Sequence, residues 1–474
     1  MQKYDFIVLG AGLAGLAFSK RISENGFSVL LLEKEDAVGG LSRTLIHDGY
    51  YIDFCAHRFH TKNTELLEEV LSLPGLKMNK HLKKSRIYMF DKYLKYPFQL
   101  QNLLRAMPIS QSIPCSLSFL VNLILKRFRK KDNIRSYKDW FIHFYGRGLY
   151  EVMCRPYTSK IWRTDPSEIS ADWAEDRFQG EKVKYLIKRI FQKLLTLDFS
   201  SYDIEDEAYI PDGGEFYFPI RGIQELSDAL ARTARENGAT IVTSAEITDI
   251  NRKEKKVSYE KDGTAYRVEY KNLISTIPLN LFYELQDKKD LHIASLIKNL
   301  IYMNIIFVFA FVNKERISND HWLYFPDKDI IFNRAVEFSN WSPEMCPDGK
   351  TSVCFDITCY NGSKIWDLPD SEIVDIALSD ADRINYLART DVTSTHVFRL
   401  KYAYPYYDLD YKRKLDEVAK FLETDDCYLL GRTGLFRYNN ADNSIEMGFK
   451  LAENFVSEKA NKSIYDYKVR HISL

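Results

Sequence analysis

The chain has no excess of either charge. Lysine plus arginine number 66 and aspartate plus glutamate number 66, so the formal net charge is zero. Nucleic acid is held largely by neutralising its phosphates, and a neutral chain offers no general attraction of that kind. Cysteine is sparse and unpatterned. The seven cysteines, at 55, 115, 154, 346, 354, 359 and 427, are odd in number and lack metal spacing. A reduced, cytoplasmic setting without a metal site is therefore expected, and no signal peptide precedes the first expected strand. Long apolar runs are missing too. The most apolar stretch, residues 113–125, falls short of the roughly 20 residues of a membrane span and contains Ser116, Ser118 and Asn122. Lys126, Arg127, Arg129, Lys130 and Lys131 follow it. A packed helix with a solvated basic end is expected there, with weak membrane-surface contact as the lesser reading. No glycine-rich or low-complexity linker divides the chain.

Aromatic residues are plentiful instead, with 31 Tyr and 29 Phe. Most must be core, and the remainder suit the wall of a ligand cleft. A length of 474 residues calls for two or three substructures.

The most informative stretch is residues 1–44. Residues 4–9 predict a buried strand, residues 16–25 a helix, and residues 27–32 a second buried strand ending in Glu33. Between the first two lies a G-x-G-x-x-G turn, Gly10, Gly12 and Gly15. Such a turn lets the backbone approach a pyrophosphate whose charge rests on the helix N-terminus, where Leu13 and Ala14 begin the first turn. Glu33 stands where a carboxylate accepts hydrogen bonds from a ribose. A second glycine pair, Gly39-Gly40, follows with Leu41, Ser42 and Arg43. It gives the backbone freedom to meet another part of a long cofactor. To this point the chain resembles FAD-binding flavoproteins of the amine oxidase and protoporphyrinogen oxidase type, in which E-x(5)-GG continues the fingerprint.

Further motifs narrow the resemblance. Residues 53–63, DFCAHRFHTKN, hold two histidines three apart, but no third ligand is near, so metal carries little weight. Residues 85–99 alternate as a hairpin turning at Asp91-Lys92. Residues 137–178 have helical spacing and contain RPYTSKIW. Residues 321–343 contain WLYFP and FNRAVEFSN, residues 402–408 read YAYPYYD, and residues 427–449 contain GRTGLFRYNNADNS. Singly each has a plain reading: Trp322, Tyr324 and Phe325 as core, Arg177 as a surface arginine. Together and in this order they resemble the UDP-galactopyranose mutases, closest to the eukaryotic form.

That resemblance implies a site. His57 would lie beside the isoalloxazine of FAD, although Cys55 stands where the family usually has glycine. The carried-over cofactor contacts are Gly10, Gly12, Leu13, Ala14, Gly15, Glu33, Lys34, Gly40, Leu41, Ser42, His57, Ile247, Arg432, Tyr438, Asn440, Asp442 and Ser444. Arg432 and the nearby helix N-terminus would neutralise the flavin pyrophosphate and hold the ring's carbonyl side. Substrate contacts would be Tyr96, Gln99, Tyr157, Trp162, Arg177, Tyr324, Arg334, Tyr404 and Tyr438. Tyr157 and Trp162 would frame a uridine, while Arg177 and Arg334 would hold its diphosphate from two sides.

The implied fold is α/β. A discontinuous Rossmann-like FAD domain (residues 1–92, 201–285 and 427–474) carries a mostly helical insertion (93–200) and a mixed antiparallel-sheet substrate domain (286–426). Residues 457–474 are expected as a polar, frayed tail. The implied activity is an isomerase for polysaccharide biosynthesis that interconverts UDP-galactopyranose and UDP-galactofuranose, or a related sugar nucleotide. Reduced FAD, with NADPH or NADH as reductant, would act through its N5 as nucleophile to form a flavin–sugar adduct. His57, Arg177 and Arg334 are the expected catalytic residues. The alternative is an FAD-dependent oxidoreductase of the amine oxidase or protoporphyrinogen oxidase type. The terminal motifs fit both; the middle of the chain favours the first. Oligomeric state is left open.

Overall fold

A computed structural model describes residues 2–54, 56–96, 103, 106–125, 134–177, 214–459 and 462–467; for residues 123 and 175–177 it describes the backbone alone. The expected βαβ unit is present. Strand Lys3–Leu9 runs into helix Leu13–Ser23 and returns as strand Val29–Leu32, which is buried at every position. Strand Lys3–Leu9 pairs in parallel with Val29–Leu32 on one side and with Thr264–Ser275 on the other. The same seven-stranded sheet takes in Thr240–Val242, Glu246–Asn251, Lys256–Lys261 and, from far along the chain, Cys427–Leu429. The chain's late helix, Ala441–Val456, crosses the first one. A Cβ on Gly448 would stand 2.5 Å from the Ala14 carbonyl oxygen, so only a glycine allows this approach.

The second sheet has seven strands in the order Val392–Pro405, Tyr302–Val312, Thr351–Cys359, Arg334–Glu337, Trp322–Tyr324, Ser85–Met89, Lys92–Lys95. Tyr302–Val312 is buried throughout, as its apolar run requires. Two expectations shift here. The hairpin turns at Phe90-Asp91, one residue earlier than expected, and both have positive φ (55° and 57°), the twist-matched hairpin geometry. Both hairpin strands belong to this second sheet, so the part of residues 1–92 that contributes to the dinucleotide sheet ends before Ser85.

The helical elements described between the two regions are Ile109–Leu125, Tyr137–Tyr145, a single turn at Arg147–Leu149, Arg155–Trp162 and Asp172–Arg177, with a five-residue π-helical turn at Tyr150–Cys154. The expected packed helix at 113–125 proves to be packed on one side only. It buries Cys115, Phe119 and Asn122 and exposes Ile109, Ile113, Leu117, Leu120, Val121, Ile124 and Leu125. The basic run that follows lies outside the described residues. Among the described residues no helix is long and apolar enough to cross a membrane. The expected frayed tail is corrected where it is described, while residues 460–461 and 468–474 lie outside the described residues. Ile464 is 2% exposed and Tyr465 donates to Asp416 at 2.7 Å, so residues 462–467 pack onto the body.

Lys160 ties the helical region to the second sheet. Its buried Nζ donates to the carbonyls of Phe325, Asp327 and Phe332 at 2.6, 2.8 and 2.6 Å. All three of its protons are thereby used. Replacing it leaves buried carbonyls unpaired, so Lys160→Met should cost about 2–4 kcal/mol, read by denaturant unfolding. Hydrogen exchange should quicken first in residues 325–333; uniform acceleration across both sheets would contradict the local role.

Candidate active site

The glycine turn is built so that one glycine faces open space. Gly10 has φ +95°, and a Cβ there would stand 2.5 Å from Thr276 Oγ1. A Cβ on Gly15 would stand 2.3 Å from the Gly10 carbonyl oxygen. These two serve the fold. Gly12, the N-cap of helix Leu13–Ser23, has ordinary extended geometry, and a Cβ on it would meet nothing within 4 Å. The amides of Leu13, Ala14 and Gly15, which have no acceptor inside the helix, open on that side. Gly40, with φ +56°, closes the rim: its Cβ would lie 3.2 Å from Gly12 Cα. Gly431 abuts from the C-terminal motif, its Cβ position 2.9 Å from Ala14 Cβ. A pyrophosphate fits this cradle on charge and on space.

Glu33 is buried and clamps the turn. One carboxylate oxygen accepts from Ala11 N at 2.7 Å and the other from Glu35 N at 3.0 Å. Burial raises its pKa. Lone pairs remain for a ribose. Lys34 lies outside the cradle, exposed and 3.7 Å from Glu246. Ile247 is half-buried at a bulge in its strand, Leu41 lines the large cleft, and Ser42 is buried beneath it.

That cleft runs across the second sheet. From one end its lining takes Leu400, then Ile305 and Phe307, then Asp356 and Thr358, then Asn333 and Arg334, then Trp322 and Tyr324, with Tyr96 at the far end. The opposite wall is His57, Arg58, Tyr157, Trp162, Trp173, Arg432, Tyr438, Asn440 and Asp442. The motifs therefore converge on one place.

Arg334 pairs with Asp356, which accepts from its Nε at 2.9 Å and its Nη2 at 2.7 Å. Both are largely buried. The guanidinium keeps its charge, and the carboxylate fixes its orientation. Tyr324 meets Tyr157 and Tyr96 edge-to-face, with centroids 5.6 and 5.0 Å apart. His57 is held neutral: burial, then the Arg432 and Arg334 charges, push it down to about 3. Its Nδ1 is buried with no hydrogen-bond partner among the described residues, as suits a group that meets a ligand. Tyr404 is half-buried beside Arg334 and Tyr438, and loss of solvent around its hydroxyl pushes it up to about 12.

Several carried-over roles change. Arg432 lines the cleft and is engaged within the chain. Its Nε donates to Asn439 O at 3.1 Å and its Nη1 to Ala403 O at 3.3 Å, with the guanidinium 5.5 Å from the rings of both Tyr404 and Tyr438. Trp162 is no open platform. It is 2% exposed and packs edge-to-face on Trp173 at 4.9 Å, so only its margin reaches the cleft. Asn440 caps helix Ala441–Val456, and Ser444 Oγ donates to Asn439 Oδ1 at 3.1 Å, beside the cleft lining. Asp442, 2% exposed in the first turn of that helix, is pushed up to about 8 by burial. Arg177 ends helix Asp172–Arg177, but its side chain lies outside the described residues, as do Gln99 and Cys55. Sequence reasoning gave no role to Lys83, Asn333, Asp356 or Thr358. Asp356 had a signal: an aspartate in the buried strand TSVCFDITC needs a partner.

Residues 13–420 match the family model described as flavin containing amine oxidoreductase. The chain belongs to that family. The UDP-galactopyranose mutase of Mycoplasma pneumoniae is 26% identical over 35% of this chain and 43% of its own length. The chain thus spans less than half the length of the mutase it matches. Protoporphyrinogen oxidase 2 of Arabidopsis thaliana is 21% identical over 94% of this chain and 91% of its own. A crystal structure of reduced UDP-galactopyranose mutase superposes with a TM-score of 0.82 at 20% identity, covering 99% of this chain and all of that one. The expected mixed α/β flavoprotein fold is therefore the observed one, and membership of the family implies FAD.

The glycine analysis separates cofactor from fold. Gly12→Val should leave the melting temperature of the flavin-free protein unchanged and abolish flavin retention. Gly15→Ala should lower that melting temperature, because backbone must move. Equal melting losses in both variants would contradict the open space over Gly12. Asp442 gives a pH prediction. Its folded-state pKa, about 8, lies above the unfolded value, so the folded state binds more protons between. Stability is then lost as pH rises from about 4 to 8. Asp442→Asn should remove that slope in the flavin-free protein, gaining on wild type as pH rises. Parallel melting curves would show Asp442 ionised throughout.

Proposed function

We propose that the protein is a flavin-dependent nucleotide-sugar mutase acting on UDP-galactopyranose and UDP-galactofuranose or a close relative. The supporting observation is the arrangement along the cleft. Arg334, oriented by Asp356, lies in strand order between an apolar floor of Leu400, Ile305 and Phe307 and the cluster of Tyr157, Tyr324 and Tyr96. A nucleoside diphosphate sugar laid along it would place its base at the tyrosines, its diphosphate on Arg334 and its sugar toward the floor. Arg58 and Lys83 add cationic charge at the nucleoside end, each within 6 Å of the Trp322 ring centroid (5.5 and 5.6 Å).

When bound in its reduced state, FAD supplies a nucleophile for the anomeric carbon. The chain's own residues do the rest. The glycine turn and helix N-terminus bind the pyrophosphate. His57, neutral, packs beside the ring without adding charge. Arg334 holds the diphosphate while its bond to the sugar breaks and re-forms, stabilising the anion at each stage. Tyr404 and Tyr438, ordered by the Arg432 guanidinium, wall the sugar off from water. Reduction by NADPH or NADH fits the same scheme.

An oxidoreductase remains the second reading because the match to protoporphyrinogen oxidase 2 extends over nearly the whole chain. An amine substrate is disfavoured by the cleft itself, since Arg58, Lys83, Arg334 and Arg432 would repel a cationic amine.

The test is to purify the flavoprotein, reduce it with dithionite, add UDP-galactofuranose and follow UDP-galactopyranose by chromatography. Turnover in the reduced state alone is expected. Oxygen consumption driven by a porphyrinogen or amine, without isomerisation, would sink the proposal. Arg334→Ala should weaken UDP binding by about a hundredfold with flavin content unchanged. Undiminished UDP affinity would remove Arg334 from the diphosphate site.

A further inference from the structure

We propose that the side-chain oxygen of Asn333 accepts a hydrogen bond from a hydroxyl of the sugar, which makes this residue a determinant of sugar choice. The proposal rests on the nucleotide-sugar reading above.

Asn333 is 2% exposed and belongs to the cleft lining. Its orientation follows from its neighbours. Thr358 Oγ1 donates its single proton to the Ile161 carbonyl at 2.7 Å. Toward Asn333 the hydroxyl can therefore only accept, and it does so from Nδ2 at 2.9 Å. This fixes which end of the carboxamide is nitrogen. A flipped amide would set two acceptors against each other. Asn333 Oδ1 is then left buried with no hydrogen-bond partner among the described residues. Backbone bonds hold the residue in place: its N–H donates to Asp356 O at 2.8 Å, and its carbonyl accepts from Phe325 N at 2.9 Å. The carboxamide cannot easily turn away to find another donor. A fixed, buried acceptor in a cleft calls for a donor brought by the ligand.

The donor's identity follows from chemistry and position. A diphosphate at neutral pH carries almost no proton on its bridging side to give, so Arg334 and Asn333, adjacent in sequence, must read different groups. The candidates are a base N–H, a ribose hydroxyl or a sugar hydroxyl. The tyrosine cluster lies one strand outward from Asn333, whereas its partner Thr358 lies one strand inward, toward the apolar floor. Each strand step is about 4.8 Å. Asn333 and Arg334 both bond to the inward strand, Asn333 at Thr358 and Arg334 at Asp356, so the acceptor lies beside the diphosphate's arginine, and comparing UDP with the sugar nucleotide tells a sugar hydroxyl from a donor on the nucleoside. A site with a dedicated acceptor discriminates against a sugar that lacks the matching hydroxyl, because the acceptor is then stranded.

The experiment compares UDP with UDP-galactopyranose by titration calorimetry on the oxidised holoenzyme, in wild type, Asn333→Ala and Thr358→Val. Asn333→Ala should weaken UDP-galactopyranose about tenfold while UDP changes less than about twofold. Thr358→Val frees the carboxamide and should weaken the sugar nucleotide in the same direction, with UDP again unchanged. It decides the matter if Asn333→Ala does not fold. Against monodeoxy analogues of UDP-galactopyranose, one analogue should bind wild type and Asn333→Ala alike, marking the hydroxyl read. Equal losses for UDP and UDP-galactopyranose, or no loss in either variant, would overturn the assignment and leave the mutase reading intact. A wild type that binds neither ligand would overturn both.

Discussion

The structure depends on the crossing of its first helix with its last long one. Leu13–Ser23 presents its open N-terminus to the cofactor cradle, and it can do so only if something holds it flat against the sheet. Ala441–Val456 does this, with Gly448 pressed so close to Ala14 and Phe18 that any side chain would collide with backbone. The same late helix brings Asn440 and Asp442 to the cleft at its own N-terminus. One packing contact therefore places the helix end at the glycine cradle and the helix end at the cleft, from residues more than 400 positions apart in sequence. Between those ends the chain is free to build a second sheet, and that sheet carries the groups that meet the other reactant.

How much of this was legible depended on whether a residue's role is local. The order of the βαβ unit was read correctly, with its helix placed two to three residues late and its second strand begun two residues early, because strand, turn and helix are specified by neighbours: an apolar run, three glycines, an acid. The hairpin was read one residue out of register, because Asp91-Lys92 looks like a turn but the twist demands positive φ at Phe90 and Asp91. Membership of a sheet is not local at all. Ser85–Ile87 pair with Trp322–Tyr324, more than 220 residues later, and nothing in the hairpin's alternation says which sheet it joins.

The site shows the same division. Arg334, Tyr324, Tyr404 and His57 were found through their motifs and do meet in one cleft. What the motifs could not supply was what each side chain is already bonded to. Arg432 sits in a strong motif, yet its guanidinium is occupied by two backbone carbonyls of the chain that returns past it. Trp162 sits in another, yet its ring is buried against Trp173. Asp356 belongs to no motif, and it orients Arg334. Hydrogen-bond bookkeeping across strands is a property of the assembled sheet, so residues acting through a neighbour stay hidden until the register is known.

Charge along the cleft then follows from burial. The groups nearest the expected flavin are those that burial can discharge: His57 loses its proton, and Asp442 keeps one until about pH 8. Guanidinium cannot escape in that way, since its proton stays on through any burial a protein imposes. It must be paired or solvated instead, and here Arg334 has Asp356, while Arg432 has carbonyls and two aromatic faces. Guanidinium charge therefore stays in the cleft at Arg334 and Arg432, and Arg58 and Lys83 add to it beside Trp322. An uncharged aliphatic substrate would leave these cations without a partner. A sugar joined to a nucleoside diphosphate would bring them one, and its charge would fall where the Arg334 guanidinium is already held still.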